Sequence, residues 1–243
     1  MTAIATFSPS AVNRAFDPSF ENDAMGLPSS NTNFSGGFDT TNKVVGTRSY
    51  MTTRTVGTGN QISTPTFTPT STTSPYRILA TPNEVITVSC RAMTDQVNWR
   101  GRLDLSCRTA AGAGTTLQGT LVTLLPAMQW VVLSNTFTVT ATAAYVSVVG
   151  NAFLLGGSVV LGERGWWDGL MVTSGSTVEP YFDGDTPGCE WNGAANASTS
   201  IRRAVQPWSV WDGTTAQPLT VSGVWDGSAV QPATLTDISV IGS

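Results

Sequence analysis

Histidine is absent from the 243-residue chain, and lysine occurs once, as Lys43. The first absence removes histidine triads, histidine general bases and histidine metal sites together. Charge is scarce as well: Asp, Glu, Lys and Arg make up 12% of residues, against a usual share of about a quarter. The three cysteines, Cys90, Cys107 and Cys189, are too few and too odd in number for a disulfide framework. No segment carries a helical period of useful length. The longest apolar stretch, 143–161, is interrupted by Ser147, Gly150, Asn151, Gly156 and Gly157, so it does not read as a membrane span. The opening MTAIATFSPS has neither a basic nor an apolar run, and no secretory signal is expected there. The net charge of −4 is uneven: residues 1–159 hold nine basic and seven acidic groups, residues 160–243 three and nine. An acidic C-terminal third argues against nucleic acid, which needs clustered positive charge.

What fills the space is threonine, 37 residues, and serine, 24. Thr favours strands and Ser favours turns, so the composition leans to an all-β protein with polar loops. The alternation is strongest in the middle of the chain. Ile86, Val88, Cys90 and Ala92 share one face, with Thr87, Ser89 and Arg91 on the other. Over 97–108, Val97, Trp99, Leu103, Leu105 and Cys107 oppose Asn98, Arg100, Arg102, Asp104, Ser106 and Arg108. Such period-two patterns mean strands with one buried and one wet face. Further strands are expected at 116–125, 129–140, 144–149, 158–160 and 166–172, and an edge strand or the start of one at 16–21. Eight or more strands spaced by turn signals predict an antiparallel jelly-roll β-sandwich. Within it, Cys90 and Cys107 fit either a cross-strand pair or two buried free thiols.

The expected organisation is an extension at 1–11, the sandwich at 12–172, a wrapped loop segment at 173–200 and a short C-terminal β-repeat at 201–243. The wrapped segment, rich in Gly, Asp, Asn and Ser, has Tyr181 and Trp191 as ring anchors. In the tail, VWDGTTAQPLTV from Val210 recurs as VWDGSAVQPATL from Val224. Asp-Gly favours a tight hairpin turn, and two such units bury too little to stand alone. Val210, Trp211, Val224 and Trp225 are therefore expected to make assembly contacts with other chains.

The catalytic signals are weak. Asp183/Asp185 and Asp17/Glu21 are carboxylate pairs, but an Asp beside a Gly ordinarily bonds its own backbone in a turn. No GxSxG, P-loop, HExxH or CxxC pattern occurs. The chain is not expected to be an enzyme.

Several strings carry a resemblance. Phe16–Glu21 within VNRAFDPSFEND, the strand pair ITVSCRAMT and NWRGRLDLSCRTAAGAG, and WVVLSNTFTVTATAAYVSVVG followed by WWDGLMVTSGS resemble carbohydrate-binding modules of the 4/9 type, which are galactose-binding-like jelly rolls. EPYFDGDTPGCEWNGAANASTS is similar to the segment that follows such modules in minor tail proteins of tailed phages infecting actinobacteria. The first resemblance implies glycan binding and a structural calcium ion held by Glu21 and Asp168, although Gly169 stands where the family usually carries a second acid. The second implies a structural virion protein of the phage tail, with other tail proteins, copies of itself and host surface glycan as partners. The alternative is a free glycan-binding module or a fragment of a carbohydrate-active enzyme. On the residues themselves, Trp130, Arg100, Arg102 and Asn98 are the glycan candidates. No aromatic in the same strand shares the parity of the arginine row, so that row fits an acidic neighbour equally well.

Overall fold

The computed structural model describes residues 9–22 and 32–203, together with the backbone of four short segments at 209–211, 216–218, 224–225 and 230–231. Among the described residues there is no helix. One sheet runs in the order β10 (Val131–Thr138), β6 (Val85–Thr94), β12 (Arg164–Ser174), β3 (Ser49–Arg54) and β2 (Phe34–Asp39). The other runs β4 (Gln61–Ser63), β11 (Tyr145–Leu154), β7 (Trp99–Arg108) and β8 (Gly114–Leu117). Onto it β5 (Ile78–Leu79) adds beside β11 and β9 (Val122–Leu125) beside β7. Every pairing in both sheets is antiparallel. Successive strands keep crossing between the sheets, β5 to β6, β6 to β7, β9 to β10, β10 to β11 and β11 to β12. That is the winding of an antiparallel jelly-roll β-sandwich.

The alternation read from the sequence decides which side chains fill the sandwich. Ile86, Val88, Cys90 and Ala92 of β6 join Leu133 of β10 and Trp167 and Val172 of β12 on the inner face of the five-stranded sheet. Trp99, Leu103, Leu105 and Cys107 of β7, with Val146, Val148 and Ala152 of β11, face them. Both tryptophans satisfy their ring N–H: Trp99 Nε1 donates to Pro126 O at 2.8 Å, and Trp167 Nε1 to Ser63 Oγ at 2.7 Å. Cys90 and Cys107 are buried free thiols, and burial raises Cys90 well above the ordinary thiol range.

A small third sheet orders β1 (Pro9–Asn13), β14 (Ser200–Arg203) and β13 (Cys189–Trp191). Asn13 fastens β1 to the sandwich. Its Oδ1 accepts Val172 N at 3.0 Å, and its Nδ2 donates to Leu170 O at 3.1 Å and Phe182 O at 3.3 Å. The chain divides into two compact units, residues 11–202 and residues 1–10 with 203–243. In the second unit β15 (Ser209–Trp211) pairs with β16 (Ala216–Pro218), and β17 (Val224–Trp225) with β18 (Val230–Gln231). The two repeat copies share one register: Val210 opposes Gln217 as Val224 opposes Gln231. The side chains of Val210, Trp211, Val224 and Trp225, and so the assembly contacts expected of them, lie outside the described residues.

Several expected elements differ. Residues 16–20 form a turn rather than an edge strand, because the Asp17 carboxylate accepts Glu21 N at 2.8 Å and Asn22 N at 3.0 Å. Val97 lies in the β6–β7 turn, 68% exposed, and Asn98 there adopts a left-handed φ of 53°. The strand expected at 116–125 is two strands, since Gly119 N turns aside to donate to Asp104 Oδ1 at 2.9 Å. Residues 158–160 are loop, with Val159 buried and Val160 exposed. In β12 the alternation breaks at a bulge between Asp168 and Met171, where Gly169 takes a φ of 63°. β11 runs on to Leu154 rather than stopping at residue 149. Gly150 is no breaker there: a Cβ at that position would sit 2.8 Å from both Phe67 and Trp167, so glycine is what lets the strand lie flat on the core.

Candidate functional site

The two sheets differ on their outer faces. On the five-stranded sheet the wrapped segment reaches the strands: Phe182 N contacts Met171 Sδ at 3.5 Å, and the Arg91 guanidinium lies 5.9 Å from the Tyr181 ring centroid. The rings marked in the sequence brace that segment internally. Tyr181 OH donates to Asp183 Oδ2 at 2.8 Å, and Trp191 Nε1 to Asp185 Oδ1 at 3.1 Å. Asp183 Oδ1 also accepts Asp185 N and Thr186 N, each at 3.0 Å. These carboxylates hold a turn.

The other sheet's outer face gathers a polar cluster around one ring. Because β11 continues through Gly150, Asn151 falls opposite Arg102 and Phe153 opposite Arg100. Both guanidinium groups lie 5.7 Å from the Phe153 ring centroid, within the range of cation–π attraction. Arg102 Nε bonds Asp104 Oδ1 at 3.0 Å, and its Nη1 donates to Gln118 Oε1 at 3.2 Å. Asn151 Nδ2 donates to Asp104 Oδ2 at 3.0 Å. Burial pushes the Asp104 carboxyl above its ordinary range, against the pull of Gly119 N–H and Arg102. The Arg100 side chain makes no hydrogen bond to any described residue, and its Nε is buried without an acceptor. The result is a half-buried phenyl ring with donors and acceptors fixed around it on rigid strands.

Of the glycan candidates, Arg100 and Arg102 belong to this cluster. Asn98 is exposed in the turn just before β7, where its carbonyl accepts Leu155 N at 3.2 Å. Trp130 is half-buried, immediately before β10 at the edge of the opposite sheet. Phe153, Asn151 and Gln118 were missed. The aromatic partner of the arginine row comes from the neighbouring strand, and only the register between β7 and β11 brings it there. Reading the odd positions on from Val149 through Gly150 is the one signal that points to Asn151 and Phe153.

Glu21 and Asp168 are brought onto a single loop. Glu21 Oε1 accepts Thr47 N at 2.7 Å and Arg48 N at 3.2 Å, and its Oε2 accepts the Thr47 hydroxyl. Asp168 Oδ2 accepts Val44 N at 2.7 Å and Val45 N at 3.0 Å, while Oδ1 accepts Gly169 N at 2.7 Å. Burial raises Asp168 to about 6, against those three N–H groups and Arg91. A calcium ion needs several oxygens turned to a common point. Here the lone pairs face N–H and O–H donors instead, and among the described residues no three His, Cys, Asp or Glu side chains converge. This donor set does not fit a cation as arranged.

Two further clefts are formed by described residues. One of about 320 Å³ is lined by Arg14, Phe16, Pro75, Arg77, Ile78 and Leu79, with Arg14 ion-paired to Glu84 at 2.6 Å. The other, about 290 Å³, sits between Arg91, Val132 and the 178–181 segment. Each holds a ring and an arginine, Phe16 with Arg14 in the first and Tyr181 with Arg91 in the second, but among the described residues only Phe153 has two guanidinium groups over one ring.

No sequence-family profile matches the chain, and no curated protein does. Among solved structures it is similar to the xylan-binding CBM22-1 domain of Xyn10C from Paenibacillus barcinonensis, at a TM-score of 0.48 and 12% identity, over 72% of this chain and 100% of that one. It is also similar to the C-terminal family 22 carbohydrate-binding module of Xyn10B from Clostridium thermocellum, at 0.47 and 13%, over 72% and 100%. A family 16 carbohydrate-binding module follows at 0.42 and 11%, over 66% and 99%. At these scores the likeness carries no argument about this chain's ligand, which has to come from its own side chains.

Proposed function

We propose that the chain is a non-catalytic glycan-binding protein whose ligand lies over Phe153, between Arg100, Arg102 and Asn151. The observation that carries this reading is the placement of Phe153 opposite Arg100 on an outer sheet face. A sugar ring presents C–H groups that pack on an aromatic face, while its hydroxyls need fixed donors and acceptors at the rim. Arg102 and Gln118 supply those, held in place by a network in which Asp104 and Asn151 are buried behind them. Their positions therefore need little reordering when a ligand arrives.

In the finer reading, the sandwich is displayed by a structural component of a phage tail and meets glycan on the host surface, with the tail unit joining other copies and other tail proteins. Its support is the 181–200 string and the repeated VWDG hairpin, whose two copies keep one register. A free glycan-binding module is the second reading, and a monomer in solution favours it.

Affinity electrophoresis of the full chain through gels containing plant, bacterial and fungal polysaccharides tests the binding. Retardation by at least one polysaccharide, abolished by Phe153→Ala and kept by Trp130→Ala, is the expected result. Equal mobility in every gel ends the proposal.

A further inference from the structure

The charge on this face is not balanced. Three arginines, Arg100, Arg102 and Arg108, project from the outer side of β7 against one carboxylate, Asp104. Arg102 is answered by Asp104 and Gln118. Arg108 Nη1 reaches the Gly112 carbonyl at 3.2 Å. Arg100 has the Phe153 ring and nothing else among the described residues: neither terminal nitrogen meets an acceptor, and Nε is already shut away from water.

A ligand ring seated on Phe153 covers the ground beside Arg100. Doing so strips water from a full positive charge that has no counter-charge among the described residues, and such desolvation is costly unless the ligand answers it. Hydroxyl groups answer it weakly. A carboxylate answers it with paired, charge-assisted hydrogen bonds matched to the planar guanidinium fork. Resting on the glycan reading above, we propose that this site selects acidic saccharides, with a uronate carboxylate held by Arg100 while the sugar ring lies against Phe153.

The probes are tri-galacturonate and its neutral counterpart galactotriose, titrated into the full chain by calorimetry, with oligoglutamate of similar charge as the control for bare acidity. Expected is binding of tri-galacturonate at least tenfold tighter than galactotriose, with no measurable oligoglutamate binding. Arg100→Gln should remove that preference while leaving the thermal midpoint unchanged. Arg100→Lys, which keeps the charge but loses the fork, should recover only part of it, and Arg77→Gln should leave it intact. Equal affinity for the acidic and neutral sugars overturns the inference and leaves the glycan reading standing. Equal binding of oligoglutamate overturns it in favour of an acidic protein partner. Binding of none of the three overturns the inference, and the polysaccharide gels then decide whether the glycan reading falls with it. If Arg100→Gln does not fold, salt decides: a preference for the acid that persists from low to high salt overturns the ion-pair account.

Discussion

Glu21 and Asp168 grip the two ends of one turn. Asp168 takes the N–H groups of Val44 and Val45, and Glu21 those of Thr47 and Arg48. Gly46 stands between them at a φ of 61°, where a Cβ would lie 2.2 Å from the Glu21 carboxylate. Loop, N-terminal segment and β12 are thus joined by two carboxylates that act as hydrogen-bond acceptors. The anchorage is electrostatic and local, and it needs no ion.

Asp168→Asn should therefore lower stability by about 1–3 kcal/mol, because one amide group cannot accept all three N–H donors. Chemical denaturation of the full chain measures this. The same protein should melt at one temperature in excess calcium and in excess chelator. A midpoint that rises with calcium, and stops doing so in Asp168→Asn, would restore the ion to this loop.

Burial raises Asp17 and Asp168 from 3.8 to about 6, against backbone N–H donors. Between those limits the folded chain binds more protons than the unfolded one, so stability increases as pH falls through 6. Asp104 and Glu163 are raised by burial in the same sense. Asp39 and Glu84 are lowered, their hydrogen bonds outweighing burial, and their contribution is lost only under more acid conditions. The melting midpoint is expected to be higher at about pH 5 than at about pH 8. A midpoint lower at about pH 5 than at about pH 8 would contradict the burial of Asp17 and Asp168.

Leu105 is fully buried, and Arg102, three positions earlier and on the opposite face, is half-exposed. Leu105→Ala should cost roughly 2–5 kcal/mol, as large-to-small core changes do. Arg102→Ala should cost less, although it leaves Asp104 with one donor fewer. Equal losses in a urea titration would mean that the register of β7 is wrong.

These contrasts mark what was legible in the sequence. The inner faces of β6 and β7 could be read because each is a local alternation, and burial follows local parity. The arginine row could be read for the same reason. Phe153 could not, because its place opposite Arg100 depends on pairing between strands far apart in the chain. Gly150-Asn151 also imitates a turn until the core behind it is known: the glycine answers to Trp167 and Phe67, not to a bend. Asp17 and Gly169 mark a turn and a bulge that the apolar pattern hides: the Asp17 carboxylate folds the chain back onto Glu21 and Asn22, and Gly169 takes a φ of 63°.

Gly150 can be tested directly. A methyl group there meets Phe67 and Trp167 at 2.8 Å, and overpacking of this kind costs about 1–3 kcal/mol. Gly150→Ala should also displace the β11 residues beyond it and so weaken glycan binding through Phe153. A variant with wild-type stability and wild-type affinity would show that the strand is not pressed to the core at this point.

The tail yields the last prediction. Residues 11–202 form a compact unit containing both sheets and every residue of the Phe153 cluster. Each VWDG copy outside it is a two-stranded hairpin, β15 with β16 and β17 with β18, and an isolated two-stranded hairpin is marginal in water. Such units gain stability by burying their apolar residues against something larger, and a sequence repeated in one register suits a repeated neighbour such as another copy of the chain. Removing residues 204–243 should then leave the sandwich folded, with its melting midpoint within a few degrees of the full chain and its glycan affinity unchanged. Self-association of the full chain, followed by sedimentation over a concentration series, should be lost in the shortened one. A full chain that stays monomeric throughout, or a shortened chain that still associates, would move the assembly contacts away from Val210, Trp211, Val224 and Trp225.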